Sequence, residues 1–344
     1  MLTPAVAAAQ SYLHGDALNH ATRLDETSVG ISRGSIVGAP IPVQNPTVGA
    51  GLALAAGYLF TIDPGSRTSV VGLGGFKTNN GSEAYAVGAK FDFGGGKWKI
   101  EGAVGHADLT YDLYAGDEAI EIGQTGSIAR FAAAYSLTKA FSVGFELGYI
   151  ESEIGPGGDL LPDDLRRDFG ITTGTAEVLL EYDTRDSTIY PTKGINQTLS
   201  LGQGRVVDGF DRDFLRGLGK FNFYFPVLAD GVIAGQFTAC QVEGDTPFFL
   251  ACSLGGSDSF RGYPSTQYID DGLASIQIAY RAPLYKRLGY ALFAGSGRVA
   301  RNLGDLDDAQ ALYAAGAGLR FRLSKKYPVD FSVDVAINRQ SETS

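Results

Sequence analysis

Apolar and polar residues alternate along most of this chain with a period of two. Tyr85, Val87, Ala89, Phe91 and Phe93 fall on one face of an extended segment, and Gly88, Lys90 and Asp92 fall on the other. Phe141, Val143, Phe145, Leu147 and Tyr149 alternate with Ser142, Gly144, Glu146 and Gly148, and Phe321 sits between Arg320 and Arg322. Successive strand side chains point to opposite faces, so each such segment predicts a strand with one apolar and one polar face. The pattern predicts about fourteen strands, near 47–60, 66–79, 82–94, 97–112, 122–137, 140–154, 171–186, 194–207, 213–227, 231–243, 271–286, 288–301, 309–325 and 329–339. A further short strand fits within 30–44.

Two architectures accept this alternation. A soluble sandwich buries the apolar faces against a second sheet, whereas a membrane barrel turns them to lipid and the polar faces to a wet lumen. The strands are about 10–16 residues long, against ~5–6 in soluble proteins and ~9–11 for a tilted membrane strand. Tight turns such as Thr78-Asn-Asn-Gly81, Gly94-Gly-Gly96 and Leu228-Ala-Asp-Gly231 join them. Aromatics gather toward strand ends (Tyr58/Phe60, Phe91/Phe93, Tyr111/Tyr114), as an interfacial girdle requires. These features favour an all-β transmembrane antiparallel barrel over a soluble all-β binding module.

Composition narrows the function. The longest apolar run, 48–60, is too short for a membrane helix, which needs about 18 residues or more. Twenty-eight basic residues against 38 acidic give a net charge of −10, which argues against nucleic acid as a partner. Cys240 and Cys252, with only His14, His20 and His106 beside them, match no four-ligand zinc site. A disulfide fits if the chain is exported, and two reduced thiols are the alternative. The Asp-rich runs at Asp159, Asp163 and Asp164 and at Asp305, Asp307 and Asp308 lack the ligand order of a calcium loop. No nucleophile elbow, phosphate loop or dinucleotide motif is present. The expectation is a non-enzymatic protein without metal or cofactor. The opening residues, Met1 to Gln10, look like the tail of a signal peptide, with an Ala-rich terminus as the plainer reading. The expected division is a signal-peptide remnant and irregular segment over 1–46 and a barrel over 47–344.

Two motifs go beyond pattern: Asp183-Thr184-Arg185-Asp186 followed by Pro191 and Gly194, and Phe260-Arg261-Gly262-Tyr263 inside a long polar connection. In this order and separation they resemble the two signatures of the Omp85/BamA superfamily barrel, in particular its short surface-antigen (D15-like) members without periplasmic POTRA domains. Segments 279–283, 291–297 and 316–323 resemble the later strands of that family. The resemblance covers roughly residues 45–340 and implies 16 strands in a bacterial outer membrane. It also implies a long loop folded into the lumen, where Arg261 pairs with an acidic residue of the wall. The family's acidic wall position falls on Gly295 here, leaving Glu181, Asp183, Asp330 and Asp334 as candidate partners. Cys240 shares a face with Gln236 and Thr238 that should look into the lumen, so a Cys240–Cys252 bridge would pin the base of the loop. Family barrels end in a closing aromatic strand, whereas this sequence stops at Gln340-Ser-Glu-Thr-Ser344, so a last strand is expected to be missing.

The function that the resemblance implies is insertion or assembly of membrane proteins or lipid at the outer membrane. Its partners would be outer-membrane lipids, lipopolysaccharide, unfolded client barrels and an accessory periplasmic protein. A passive or plugged pore is the alternative.

Overall fold

The computed structural model describes residues 29–45, 47–115, 118–156, 170–187, 190–208, 212–227, 230–255, 260–322 and 330–338. The period-two segments become strands of one antiparallel sheet. Its first seven are β1 (Ser35–Asn45), β2 (Gly49–Phe60), β3 (Ser69–Thr78), β4 (Glu83–Phe93), β5 (Trp98–Ala115), β6 (Glu118–Ser136) and β7 (Phe141–Pro156). The next four are β8 (Gly170–Asp183), β9 (Gly194–Asp208), β10 (Asp213–Val227) and β11 (Gly231–Gly244). After a long connection come β14 (Gly272–Tyr285), β15 (Leu288–Ala300), β16 (Leu312–Arg322) and β17 (Asp330–Asn338). That connection holds a small ribbon of β12 (Cys252–Leu254) paired with β13 (Tyr268–Asp270).

The large sheet contains fifteen strands, each bonded to its neighbours in chain order. One expected boundary moves. The barrel wall begins at Ser35 and not at 47, because β1 pairs with β2 along its full length. It is the further short strand expected within 30–44, reaching one residue beyond that range, and it tolerates Pro40 and Pro42 because proline is confined to edge strands. The signal-peptide remnant, His14, His20, the Asp159–Asp164 run and the C-terminal turn lie outside the described residues.

Strands β7, β11 and β15 end at one side of the sheet, where long connections follow them, and turns such as 94–97, 137–140 and 286–287 lie at the other. The outer face is apolar and uncovered: Leu73 and Tyr85 are 63% and 64% exposed, and Leu147, Val178, Leu201 and Leu292 are also exposed. In water so large an apolar face would drive association, whereas lipid is its matching solvent.

The inner face has two zones, and here the expected wet lumen holds only in part. Toward the long-loop end, Leu109, Tyr111 and Ile122 pack with Val43, Val48 and Phe76. Phe249 and Leu250, carried by the loop after β11, pack against Ile128, Ile150 and Phe214. Phe248 touches both groups. This half of the lumen is a dry core, each fully buried Leu or Phe contributing about 1.5–3 kcal/mol. Toward the short-turn end the wall carries a ladder of opposite charges, Lys90–Glu101 (2.6 Å), Glu101–Arg130 (3.6 Å) and Arg130–Glu146 (2.5 Å), and Glu177–Arg216 (3.2 Å) pairs further up, one inward position from Phe214. These charges persist because each meets a counter-charge, on the adjacent strand from β4 to β7 and across Gly202 of β9 for Glu177 and Arg216.

Candidate functional site

The described parts of the connection between β11 and β14, 245–255 and 260–271, lie inside the barrel and are fastened at the base. Cys240, on the inner face of β11, is disulfide-bonded to Cys252 of β12. Ser253 Oγ donates a hydrogen bond to the carbonyl of Ser265, in the segment ahead of β13. Cys252 and Leu254 of the ribbon are fully buried.

At the tip stand Phe260, Arg261, Gly262 and Tyr263. Phe260 and Tyr263 are buried and stack with ring centroids 6.0 Å apart. Gly262 has φ +110°, and a Cβ there would lie 2.7 Å from the Cβ of Ala314, so the tip can press onto β16 only as glycine. Tyr263 donates its hydroxyl to the Tyr313 carbonyl at 2.9 Å. Arg261 is held on three sides. Nη1 donates to Asp334 Oδ2 of β17 at 2.9 Å, Nε donates to Gln277 Oε1 of β14 at 2.7 Å, and the guanidinium lies 3.9 Å over the ring of Phe293 on β15. Asn338 of β17 donates to the Gly262 carbonyl at 3.2 Å.

Of the four acidic candidates, Asp334 takes the loop arginine. Glu181 is engaged by Lys99, Asp183 by Arg185 and Arg67, and Asp330 by Arg322. Gly295 explains the relocation. A Cβ at this position would meet Phe260 Cε2 at 2.8 Å and the Ile276 carbonyl at 2.6 Å. The space that an acidic side chain would need is filled by the loop's own phenylalanine, and the anion sits two strands further on. Gly297 makes the same allowance for Leu254, whose Cδ1 would lie 2.5 Å from a Cβ there. Gln277, Phe293, Tyr313 and Asn338 were not singled out in the sequence. Gln277 was findable, since period two places it opposite Ile276 and Ile278.

The second motif shapes the connection from β8 to β9. Asp183 accepts both Nε and Nη2 of Arg185 at 2.9 Å each. Asp186 accepts the backbone N–H groups of Thr192 and Lys193 at 2.9 and 3.2 Å and the Thr192 hydroxyl at 2.5 Å. Burial alone would push the Asp186 carboxyl up, but these donors hold it below the usual aspartate value. Gly194 re-enters the sheet at φ +102°. The motif residues thus serve a turn, and no described group of His, Cys, Asp and Glu residues could hold a metal ion.

The edge of β1 completes the picture. Asn79 donates its N–H to the Ala50 carbonyl, and the β2–β3 register sets these two residues opposite each other. Even-numbered residues of β2 therefore bond toward β3 and odd-numbered ones toward β1. Since Gly51 opposes Val43 and Ala53 opposes Ile41, the odd residues of β1 bond β2, and the even ones direct their backbone groups away from the sheet. Pro40 and Pro42 are on that outward edge and supply no N–H there. Among the described residues, β1 pairs with β2 alone. The loop nevertheless reaches both limits of the sheet, through Thr47 Oγ1 and Ser265 Oγ (3.2 Å) at one end and Asn338 at the other.

Comparison with known proteins agrees with this geometry. Residues 100–343 match the Omp85 superfamily domain. Over 98 residues the chain is 35% identical to the outer membrane protein assembly factor BamA of Nitratidesulfovibrio vulgaris (strain Hildenborough), a match covering 27% of this chain and 12% of that protein. The fold is similar to the crystal structure of BamA from Haemophilus ducreyi lacking POTRA domains 1–3, with a TM-score of 0.58 at 15% identity, covering 89% of this chain and 66% of the other. It is also similar to CdiB from Escherichia coli, with a TM-score of 0.58 at 14% identity, covering 88% and 62%. The chain thus spans about two thirds or less of each of these proteins. An uncovered apolar outer face, a loop-filled lumen and the match over most of the chain lead to one identification: this is an outer-membrane β-barrel belonging to the Omp85 superfamily.

Proposed function

We propose that this barrel assists, without catalysis, the insertion or assembly of membrane proteins or lipid in the outer membrane, acting at the edge of β1. The observation that carries this reading is the pair Pro40 and Pro42 on the outward side of that strand. A neighbouring strand cannot bond there continuously, so the wall is weakest at β1. An edge that parts exposes the donors of Ile36, Gly38 and Gln44, which an incoming extended segment can take by strand addition. The named role of the Nitratidesulfovibrio relative supports the same reading. Unfolded barrels would be the clients, lipopolysaccharide and outer-membrane lipid the surroundings, and an accessory periplasmic protein the source of clients.

The test is reconstitution into liposomes with an unfolded reporter barrel, following reporter folding by its heat-modifiable gel shift. Folding faster than in empty liposomes, and slowed again by Arg261→Ala, is the expected result. No acceleration by a properly folded protein would remove the reading.

A second reading, a plugged barrel without insertase activity, is favoured by one observation: Phe248, Phe249, Leu250 and the Arg261 tip occupy the lumen. Its mark is ion conductance that appears once the loop is shortened, with no effect on reporter folding.

A further inference from the structure

The motif from Asp183 to Gly194 has no part in the β1 edge, yet its contacts cross the barrel. Its near side is fixed by the Asp183–Arg185 pair and by Asp186, which gathers Thr192 and Lys193. Its far side rests on a different part of the wall. Arg281 of β14 donates through Nη2 to the Pro191 carbonyl, and its guanidinium lies 4.1 Å over the ring of Tyr190. Arg322 of β16 covers the same ring at 5.0 Å and is itself held by Asp330. In the sheet order β9-β10-β11-β14-β15-β16, this places Tyr190 against wall residues far around the circumference from β9. A ring between two guanidiniums is attracted by both, and more strongly where water is excluded.

We propose that the arm at 190–193 is a strap that seals the short-turn mouth of the lumen against polar solutes, with Tyr190 as its latch. The lumen needs such a seal at this end. Its long-loop half is a dry core, whereas its short-turn half carries the charges from Lys90 to Glu146, which would otherwise stand open to solutes. The arm's wall contacts are on β14 and β16, and the Arg261 loop enters the lumen from the opposite, long-loop side. Sealing is independent of the insertase reading, because it is read in a bilayer without clients.

The test uses one engineered thiol. Both native cysteines are in the disulfide, so Thr198→Cys, on the inner side of β9 four residues above Gly194, provides the sole free thiol. In proteoliposomes, a charged, membrane-impermeant maleimide is added to the short-turn side. Tyr190→Ala is expected to speed labelling about tenfold, the scale of losing a desolvated ring–cation contact. Tyr190→Phe, which keeps the ring, should label at the parent rate, and labelling from the long-loop side should be unchanged in both. An unchanged rate in Tyr190→Ala, or a rise from both sides, overturns the proposal. If Tyr190→Ala fails its gel-shift test of folding, Arg322→Gln is read in its place against the same outcomes.

Discussion

Arg261 and Asp334 are 73 residues apart in the chain and meet at 2.9 Å inside the barrel. The carboxylate is shared, because Arg320 also donates to it, at 2.5 and 3.0 Å. The two removals are therefore unequal. Arg261→Ala leaves Asp334 with Arg320, whereas Asp334→Asn leaves two guanidiniums facing each other without an anion. Orphaning a buried charge costs about 3–5 kcal/mol, and these side chains keep about a fifth of their exposure. We expect a loss of roughly 2–4 kcal/mol for Asp334→Asn and about half that for Arg261→Ala, measured by urea unfolding in vesicles. Equal losses would mean that the carboxylate is not shared in the membrane.

Gly295 gives a prediction that runs against family intuition. Restoring the acidic residue as Gly295→Asp should weaken the loop contact, because the new Cβ lies 2.8 Å from Phe260. Overpacking of this kind costs about 1–3 kcal/mol. The expected signs are faster proteolysis of the loop and a higher single-channel conductance. A variant as protected as the parent would show that the tip can accommodate both side chains.

The disulfide and the arginine anchor the loop at different points, so their effects should add. Cys240 and Cys252 are 12 residues apart, and closing a loop of that size stabilises by about 3 kcal/mol. Cys240→Ser with Cys252→Ser should lower the unfolding free energy by about that amount while the tip stays seated. Loop proteolysis then remains slow until Arg261→Ala is added. Rapid cleavage in the serine variant alone would make the bridge the principal anchor.

Much of this was legible in the sequence, for reasons visible in particular residues. In 85–93 and 141–149 every second side chain faces lipid, and the resulting strands were found within a few residues of their limits. Strand β1 was legible only as a short strand somewhere within 30–44, and its full extent, Ser35–Asn45, needs an outward edge to hold Pro40 and Pro42. The dry half of the lumen was hidden. Leu109 and Tyr111 face inward as Lys99 and Glu101 do, and period two cannot distinguish a wall facing water from one facing Phe248. The motif named Arg261 but not its partner, since choosing Asp334 over Asp330 requires the register that brings β17 beneath the tip.

Asp186 makes stability depend on acid. Its folded pKa is lowered, so it contributes stability that is complete above the unfolded value, near 3.8, and is lost as pH falls through the lower folded value. The free-energy gap between the parent and Asp186→Asn should be constant at neutral pH and narrow below about pH 4. Urea unfolding at several pH values measures it. A gap that widens in acid would reverse the sign and remove the turn donors as its cause.

Pro40 and Pro42 offer the sharpest separation of edge from scaffold. Replacing both by Val adds two N–H donors, and the register directs them away from β2. The β1–β2 ladder is untouched, so stability should fall only by the added freedom of the unfolded chain, about 0.4–1 kcal/mol per site. The wall beside β1, in contrast, gains the means to bond continuously. If an opening edge is what acts on clients, the double variant should fold normally while reporter folding slows toward the rate in empty liposomes. Undiminished acceleration would place the activity elsewhere on the barrel, even if the insertase reading itself survived.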